Sequence, residues 1–254
     1  MIIGGNVLLQ DRFVESTLYI ENGIITRIQN GIDPKTDHLS DGYIVPGFID
    51  LQLNGAYGDD FTTQGGAASR VAARLPETGC TSFLPTIITS PFDSYSKRLH
   101  DLCEAMKESK GAHILGVHLE GPYFNPVKRG AHNPDLIREI NVDEITRWAD
   151  PSIVRLVTLA PELPKAAEAI RALNGNGITV SAGHSNATYN EAVKGFENGI
   201  GMVTHLFNAM SNFNHRDPGL PGAALDSNVP CGIIADGVHV HPTMLKLAYQ
   251  LKGV

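Results

Sequence analysis

Residues 114–120 read ILGVHLE, a short apolar stretch that ends on a carboxylate, Glu120. The loop that follows, GPYFNPVKRGAHNP (121–134), is too rich in glycine, proline and polar residues to form part of a core. An apolar run of this length, bounded by a turn, is typical of a strand buried on both faces. We therefore predict a buried parallel strand with Glu120 at its carboxyl end.

The same order of apolar strand, polar loop and helical stretch recurs from residue 48 onward. The predicted strands are 48–54, 81–87, 114–120, 153–161, 178–184, 202–208 and 231–237. The predicted helices include 94–109, 163–174, 188–198 and 242–252. Apolar strands that alternate with helices favour parallel βαβ units. The pattern predicts an α/β fold, a (β/α)8 TIM-type barrel with seven of its eight strands in this sequence.

Residues 1–46 have a different pattern, with alternating apolar stretches at 2–8, 13–20 and 24–29. Turn residues such as those at 21–23 separate these stretches and predict β-hairpins. Three or four short strands are too few for an independent domain. We therefore predict a partial β-sandwich over 1–46 and a barrel that lacks its last strand over 47–254.

Composition excludes several classes of protein. The chain has 254 residues, 42% of them hydrophobic, and 20 Lys+Arg against 27 Asp+Glu give a net charge of −7. This balance argues against disorder and against nucleic-acid or anionic-membrane partners. The three cysteines are widely spaced and predict reduced thiols. With no secretory signal and no apolar run long enough to span a membrane, we expect a soluble cytoplasmic protein.

Polar residues recur at the carboxyl ends of the predicted strands, the edge where such barrels build their active sites. These residues are Gln52, Asn54, Glu120, His184, His205, Asn208 and Asp236. One carboxylate and two imidazoles, from Glu120, His184 and His205, suit Zn²⁺ or Fe²⁺ and leave a position open for water. A single histidine of this kind is more often a buried core residue, but the three together favour a metal site.

Two further histidines compete for roles near this edge. His118 shares a strand face with Glu120. Three roles are open to it: a metal ligand, a hydrogen-bond partner of a ligand, or a core histidine. We favour the role of hydrogen-bond partner. His239 is predicted to face a substrate, and His241 to be solvated.

The loops add candidates for binding. In the loop 121–134, His132 and Asn133 are candidates for substrate contact, whereas Lys128 and Arg129 fit a solvated turn equally well. Arg216 either pairs with an acid or binds an anionic group of a substrate.

Several long segments together resemble the N-acetylglucosamine-6-phosphate deacetylases of the metal-dependent amidohydrolase superfamily. They are PGFIDLQLNG (46–55), GVHLEGPYFNPVKRGAHNP (116–134), LAPE (159–162), SAGHSNAT (181–188), THLFNAM (204–210), DPGLPGA (217–223) and CGIIADGVHV (231–240). The resemblance runs over the whole sequence. It implies hydrolysis of the acetamide of N-acetylglucosamine 6-phosphate to glucosamine 6-phosphate and acetate. We also expect a homodimer.

The resemblance also implies roles for individual residues. One divalent metal, with zinc favoured and iron the alternative, is held by Glu120, His184 and His205. The roles implied for substrate are sugar binding by Ala131, His132, Asn208 and Ala209, phosphate binding by Arg216, and polarisation of the amide carbonyl by His239. Where many amidohydrolases have H-x-H on the first barrel strand, this chain has Gln52-x-Asn54. Amides are poor ligands beside imidazole, which favours one metal over two.

The family's catalytic aspartate lies on an eighth strand that we do not find before residue 254, so we expect a C-terminally truncated member of the family. Two alternatives remain open. One is an amidohydrolase that acts on another N-acyl substrate. The other is a non-catalytic remnant that binds a metal or a sugar phosphate, and measuring metal content together with turnover distinguishes it from the enzymes.

Overall fold

The computed structural model describes residues 1–253, and the chain divides between Phe48 and Ile49 into two units. The first unit is a four-stranded sheet. Its strands are β1 (Ile2–Leu9), β2 (Arg12–Glu21), β3 (Ile24–Asn30) and β4 (His38–Ile44). They are ordered β3-β2-β1-β4, with β1 antiparallel to β2, β2 antiparallel to β3, and β1 parallel to β4. Asn22 and Gly23 turn the chain between β2 and β3 with positive φ angles of 53° and 79°, as expected of a two-residue hairpin loop.

The second unit alternates strands and helices. Its strands are β5 (Phe48–Leu53), β6 (Gly55–Ala56), β7 (Asp59–Asp60), β8 (Cys80–Ile88), β9 (His113–Ile114), β10 (Val117–Glu120), β11 (Val154–Leu159), β12 (Thr179–Ala182) and β13 (Met202–Val203). Its α-helices are α1 (Ala67–Arg74), α2 (Ser94–Glu108), α3 (Val142–Trp148), α4 (Ala166–Gly175), α5 (Tyr189–Glu197), α6 (Gly219–Asp226) and α7 (Pro242–Lys252). Short 3-10 helices lie at Leu75–Thr78, Pro126–Lys128 and Pro134–Leu136.

The principal sheet of this unit has the strand order β13-β12-β11-β10-β8-β5, with β9 paired to β8. The pairs β8–β10, β10–β11, β11–β12 and β12–β13 are parallel. Along β11, Val154, Leu156, Val157 and Leu159 are all at most 3% exposed, which explains why such strands have nearly continuous apolar sequences. A parallel sheet whose strands alternate with helices is the pattern of a TIM-type barrel, as predicted.

Local sequence signals set the helix ends. Thr188 and Glu191 form a capping box at the start of α5. At α7, Pro242 occupies the first turn and the exposed His241 side chain accepts a hydrogen bond from the Thr243 backbone N–H. His241 therefore serves as the cap of this helix.

Two predicted strands differ from the structure. The stretch 231–237 is not a strand, and only Cys231 pairs, in an isolated parallel bridge with Val203. The chain turns instead, because the Asp236 carboxylate accepts the backbone N–H groups of Val238 and His239. The predicted strand 202–208 stops at Val203, since His205 has a φ of 36° that an extended strand does not allow.

Among residues 1–253, no helix is both long enough and apolar enough to cross a membrane.

Candidate metal centre

Three predicted ligands meet at one edge of the parallel sheet. Glu120 is the last residue of β10, while His184 and His205 each lie two residues beyond the ends of β12 and β13. Since parallel strands share a carboxyl edge, their terminal side chains converge. Glu120, His184 and His205 are 3%, 4% and 8% exposed, so the cluster is buried.

The three potential ligand atoms form a nearly equilateral triangle. Glu120 Oε1 lies 3.1 Å from His184 Nε2 and 3.0 Å from His205 Nε2, and the two nitrogens are 3.0 Å apart. Tetrahedral coordination with bonds of about 2.0–2.1 Å places ligand atoms about 3.3 Å apart. The observed spacing is within a few tenths of an ångström of that value.

A backbone contact defines the protonation of His184. Its Nδ1 lies 3.0 Å from the Lys128 carbonyl oxygen. Because a carbonyl only accepts, this nitrogen carries the proton and Nε2 presents a lone pair toward Glu120 Oε1. Burial lowers the pKa of His184, which disfavours a proton on Nε2. A lone pair facing a carboxylate oxygen is stabilised by a cation between the two, so the donor set fits a divalent metal ion.

Glu120 is held as a carboxylate. Burial raises the pKa of this carboxyl, but the surrounding side chains of His132, His184 and His205 outweigh burial and hold the pKa well below its usual value. The side-chain amide of Gln52 also donates to Glu120 Oε1, at 2.7 Å. The polar residue at the end of β5 therefore contacts a candidate ligand, a contact that its position at a strand end could have suggested.

His132 lies against the cluster, with its Nε2 3.7 Å from Glu120 Oε2. The backbone N–H of Thr89 donates to His132 Nδ1 at 3.3 Å, and the Thr89 hydroxyl is 2.8 Å from the same nitrogen. Since a backbone N–H only donates, neutral His132 carries its proton on Nε2. Thr89 therefore directs an N–H group of His132 toward the cluster. No sequence signal pointed to Thr89.

The aromatic ring of Phe124 completes the wall of the cluster. It stacks on His184 at a centroid distance of 4.2 Å and meets His132 edge-on at 4.8 Å. Phe124 is 1% exposed and so shields this side of the centre from water. It lies in the loop 121–134, which we expected to carry function, but we did not select this residue.

Several residues of this edge adopt left-handed backbone angles. His184, His205 and Ala209 have φ values of 48°, 36° and 50°. Such angles cost of order 1 kcal/mol or more per non-glycine residue and persist only where surrounding contacts impose them. The strain here coincides with the two histidines that are candidate metal ligands.

The other predicted site residues are spread more widely. Asn208 and Ala209 lie three and four residues after His205, and the Asn208 N–H donates to the His205 carbonyl at 2.9 Å. Ala131 is exposed beside His132. Arg216 is exposed, and its guanidinium makes no ion pair within residues 1–253. His239 is exposed and its Nδ1 is 2.6 Å from Asp236 Oδ2.

The favoured role for His118, as hydrogen-bond partner of a ligand, is wrong. Both ring nitrogens are occupied by threonine hydroxyls, Nδ1 by Thr86 at 3.2 Å and Nε2 by Thr158 at 2.7 Å. His118 is fully buried, and burial lowers its pKa to about 4. It is a neutral histidine in a polar layer of the core, the third of the alternatives that the sequence left open.

A model of the amidohydrolase family matches residues 43–254. This range includes all the strands of the principal sheet and the three candidate ligands. The chain therefore belongs to the amidohydrolase family, which implies a divalent metal.

Comparison with individual proteins identifies the members of this family that the chain resembles. The chain is 43% identical over 221 residues to an N-acetylglucosamine-6-phosphate deacetylase of Danio rerio, covering 82% of this chain and 55% of that protein. It is 36% identical to the Homo sapiens deacetylase, with 97% and 64% covered. A Mycobacterium smegmatis N-acetyl-D-glucosamine-6-phosphate deacetylase mutant, solved with N-acetyl-D-glucosamine-6-phosphate, matches with a TM-score of 0.92 and 30% identity, over 100% of this chain and 68% of that one.

Within the amidohydrolases, the chain thus belongs with the N-acetylglucosamine-6-phosphate deacetylases, which confirms the predicted resemblance and the barrel fold. It spans between about half and two thirds of the length of the curated relatives that it matches.

Proposed function

We propose that this protein hydrolyses the acetamide of N-acetylglucosamine 6-phosphate to glucosamine 6-phosphate and acetate with the help of one divalent metal ion. The observation that carries the proposal is the buried triangle of Glu120 Oε1, His184 Nε2 and His205 Nε2. The names of the relatives support the choice of substrate, since each is a deacetylase of this amino-sugar phosphate.

We propose Glu120, His184 and His205 as the metal ligands and zinc as the metal, with Fe²⁺ as the alternative. A carboxylate and two imidazoles are a common ligand set for catalytic zinc. When bound, such an ion is a Lewis acid that polarises a carbonyl and makes water a stronger nucleophile near neutral pH. Gln52 takes the place from which many amidohydrolases bind a second metal, and it donates to Glu120. This contact supports one metal per chain.

We propose that His132 polarises the amide carbonyl. Its Nε2–H is directed toward the cluster by Thr89 and lies on the same side as Glu120 Oε2. A fixed N–H donor that faces the scissile group stabilises the charge that develops on the acyl oxygen.

His239, which the resemblance assigns to this carbonyl, is hydrogen-bonded to Asp236 on an exposed segment. We therefore propose His239 as a contact for the more peripheral groups of the sugar.

We propose that Arg216 binds the phosphate, with Ala131, Asn208 and Ala209 beside the sugar. Among residues 1–253 the guanidinium of Arg216 has no ion-pair partner, so it is available for a two-pronged contact with a dianion. Asp236 is unsuited to act as the general base, because backbone hydrogen bonds from His239 and Val238 lower its pKa to about 2.

Acetate release from N-acetylglucosamine 6-phosphate by the zinc-loaded protein tests this proposal, with N-acetylgalactosamine 6-phosphate and an N-acetylamino acid as competing substrates. We expect release from the first substrate and none from the Glu120→Ala variant. Preferred turnover of another N-acyl compound would contradict the substrate assignment. Metal-dependent binding of glucosamine 6-phosphate without acetate release would support the binding-only alternative instead.

We also propose a cytoplasmic location and a homodimer. The location is supported by the cysteines Cys80, Cys103 and Cys231, all of which are free thiols in the structure. A dimer would cover exposed apolar side chains such as Val238 and Tyr249, which are 85% and 61% exposed. Light scattering of the purified protein measures the oligomeric state, and a monomer at micromolar concentration would contradict the dimer.

A further inference from the structure

Glu162 is the acidic residue of the LAPE segment (159–162), to which the proposed reaction assigns no role. It lies three residues beyond the end of β11, the strand between the one that carries Glu120 and the one that leads to His184. Among the described residues 1–253, β11 is the one strand from β10 to β13 whose carboxyl end supplies no candidate metal ligand. The Glu162 side chain is instead bound to loops on both sides of the site.

Three groups donate hydrogen bonds to the Glu162 carboxylate. The Asn125 side-chain amide donates to Oε1 at 3.0 Å, and the Asn186 backbone N–H donates to the same oxygen at 2.7 Å. The Ser185 hydroxyl donates to Oε2 at 2.7 Å. Asn125 belongs to the loop after β10, whereas Ser185 and Asn186 directly follow His184. A single half-buried carboxylate thus joins the two segments.

These contacts close a hydrogen-bonded ring around His184. The Asn125 backbone N–H donates to the His184 carbonyl at 3.0 Å. The Asn125 side chain also caps the 3-10 helix Pro126–Lys128, at whose end the Lys128 carbonyl accepts the Nδ1–H of His184. The ring therefore runs from Glu162 through Asn125 and Lys128 to the imidazole, and returns through Ser185 to Glu162.

We propose that Glu162 is a positioning residue for His184. This proposal rests on the proposed metal site. By anchoring Asn125, it holds the Lys128 carbonyl where it keeps the ring proton on Nδ1, so that Nε2 remains free to bind the metal. By anchoring Ser185 and Asn186, it holds the backbone of His184 at its left-handed φ of 48°. Hydrogen-bond partners of this kind orient the histidines that bind metals and change their affinity.

The experiment compares the zinc dissociation constants of Glu162→Ala and Glu162→Gln, measured by competition with a chelator. Loss of an outer hydrogen-bond partner typically lowers metal affinity about 10- to 100-fold, and we expect a weakening in that range for the alanine variant. Glutamine keeps one carbonyl oxygen for Asn125 and Asn186, and its amide can donate to the Ser185 hydroxyl. We therefore expect it to restore affinity to within about threefold of wild type.

The matched control is Glu168→Ala, an exposed glutamate on α4 for which the structure shows no hydrogen bond or ion pair of the side chain to another residue among 1–253. We expect this control to bind zinc as wild type does. Thermal unfolding of the metal-free variants separates loss of affinity from loss of folding. If Glu162→Ala does not fold, Asn125→Ala breaks the same ring from the other side and should weaken zinc binding in the same range.

Wild-type affinity in folded Glu162→Ala, or in Asn125→Ala where Glu162→Ala does not fold, would overturn the inference. Equal weakening by alanine and glutamine at position 162 would also overturn it, because charge and not the hydrogen-bonded ring would then be responsible. Failure of the wild-type protein to bind a divalent metal is a separate outcome that rejects the proposed metal site.

Discussion

Replacing Glu120 by glutamine should remove most of the metal affinity while leaving the fold intact. The substitution keeps the size of the side chain but replaces the carboxylate by an amide, which is a poor ligand beside imidazole. Glu120 Oε1 is the corner of the ligand triangle that both histidine nitrogens approach, at 3.1 and 3.0 Å. Its loss therefore leaves two ligands of the original three.

The magnitude follows from the number of ligands. Zinc held by four protein ligands binds with about 10–16 kcal/mol, or about 2.5–4 kcal/mol for each ligand. Since about 1.4 kcal/mol corresponds to a tenfold change in affinity, loss of Glu120 should raise the dissociation constant about 10²- to 10³-fold.

Competition with a chromogenic chelator measures this constant, and circular dichroism reports whether the variant is folded. The matched control is Glu104→Gln, which makes the same chemical change at an exposed ion pair with Lys107. We expect the control to bind zinc as tightly as wild type. A folded Glu120→Gln variant with a dissociation constant within about threefold of wild type would refute the ligand assignment.

Three further outcomes are expected. Arg216→Ala should weaken binding of glucosamine 6-phosphate strongly and binding of glucosamine little, because only the former has a phosphate for the guanidinium. Calorimetry measures both affinities, and equal losses would show that Arg216 is structural. His132→Ala should lower kcat about 10²- to 10³-fold with metal content unchanged, and an unaltered kcat would reject carbonyl polarisation by His132. Burial raises the pKa of Tyr95 to about 12, whereas an unfolded tyrosine ionises near pH 10, so the free energy of unfolding should fall by about 2 kcal/mol as the pH rises from about 10 to 12. Tyr95→Phe should lack that part of the loss, and the same alkaline loss in both proteins would contradict the burial argument.

The strands and the three candidate ligands could be predicted because a buried parallel strand has a distinctive sequence. Runs such as 153–161 are apolar at nearly every position, and the polar residue at the end of a run marks the carboxyl edge. Once Glu120, His184 and His205 are assigned to strand ends, the parallel order of the sheet brings them together without any further information.

The rest depends on contacts between residues distant in sequence or on local hydrogen bonds that compete with the sheet. The stretch 231–237 has a strand-like sequence, but the chain turns there because the Asp236 carboxylate accepts hydrogen bonds from two backbone N–H groups. Whether His118 or His132 lies beside the cluster is decided by Thr86, Thr158 and Thr89, residues on other segments. No spacing rule within one strand could have revealed those partners.

X-ray absorption spectroscopy of the zinc-loaded protein tests the central claim most directly, since it reports the atoms bound to the metal. Glu120, His184 and His205 predict two imidazole nitrogens and a carboxylate oxygen at about 2.0–2.2 Å. In His205→Ala the imidazole contribution should fall from two rings to one. Sulfur at about 2.3 Å, or a wild-type spectrum without imidazole scattering, would contradict the assignment of the metal centre.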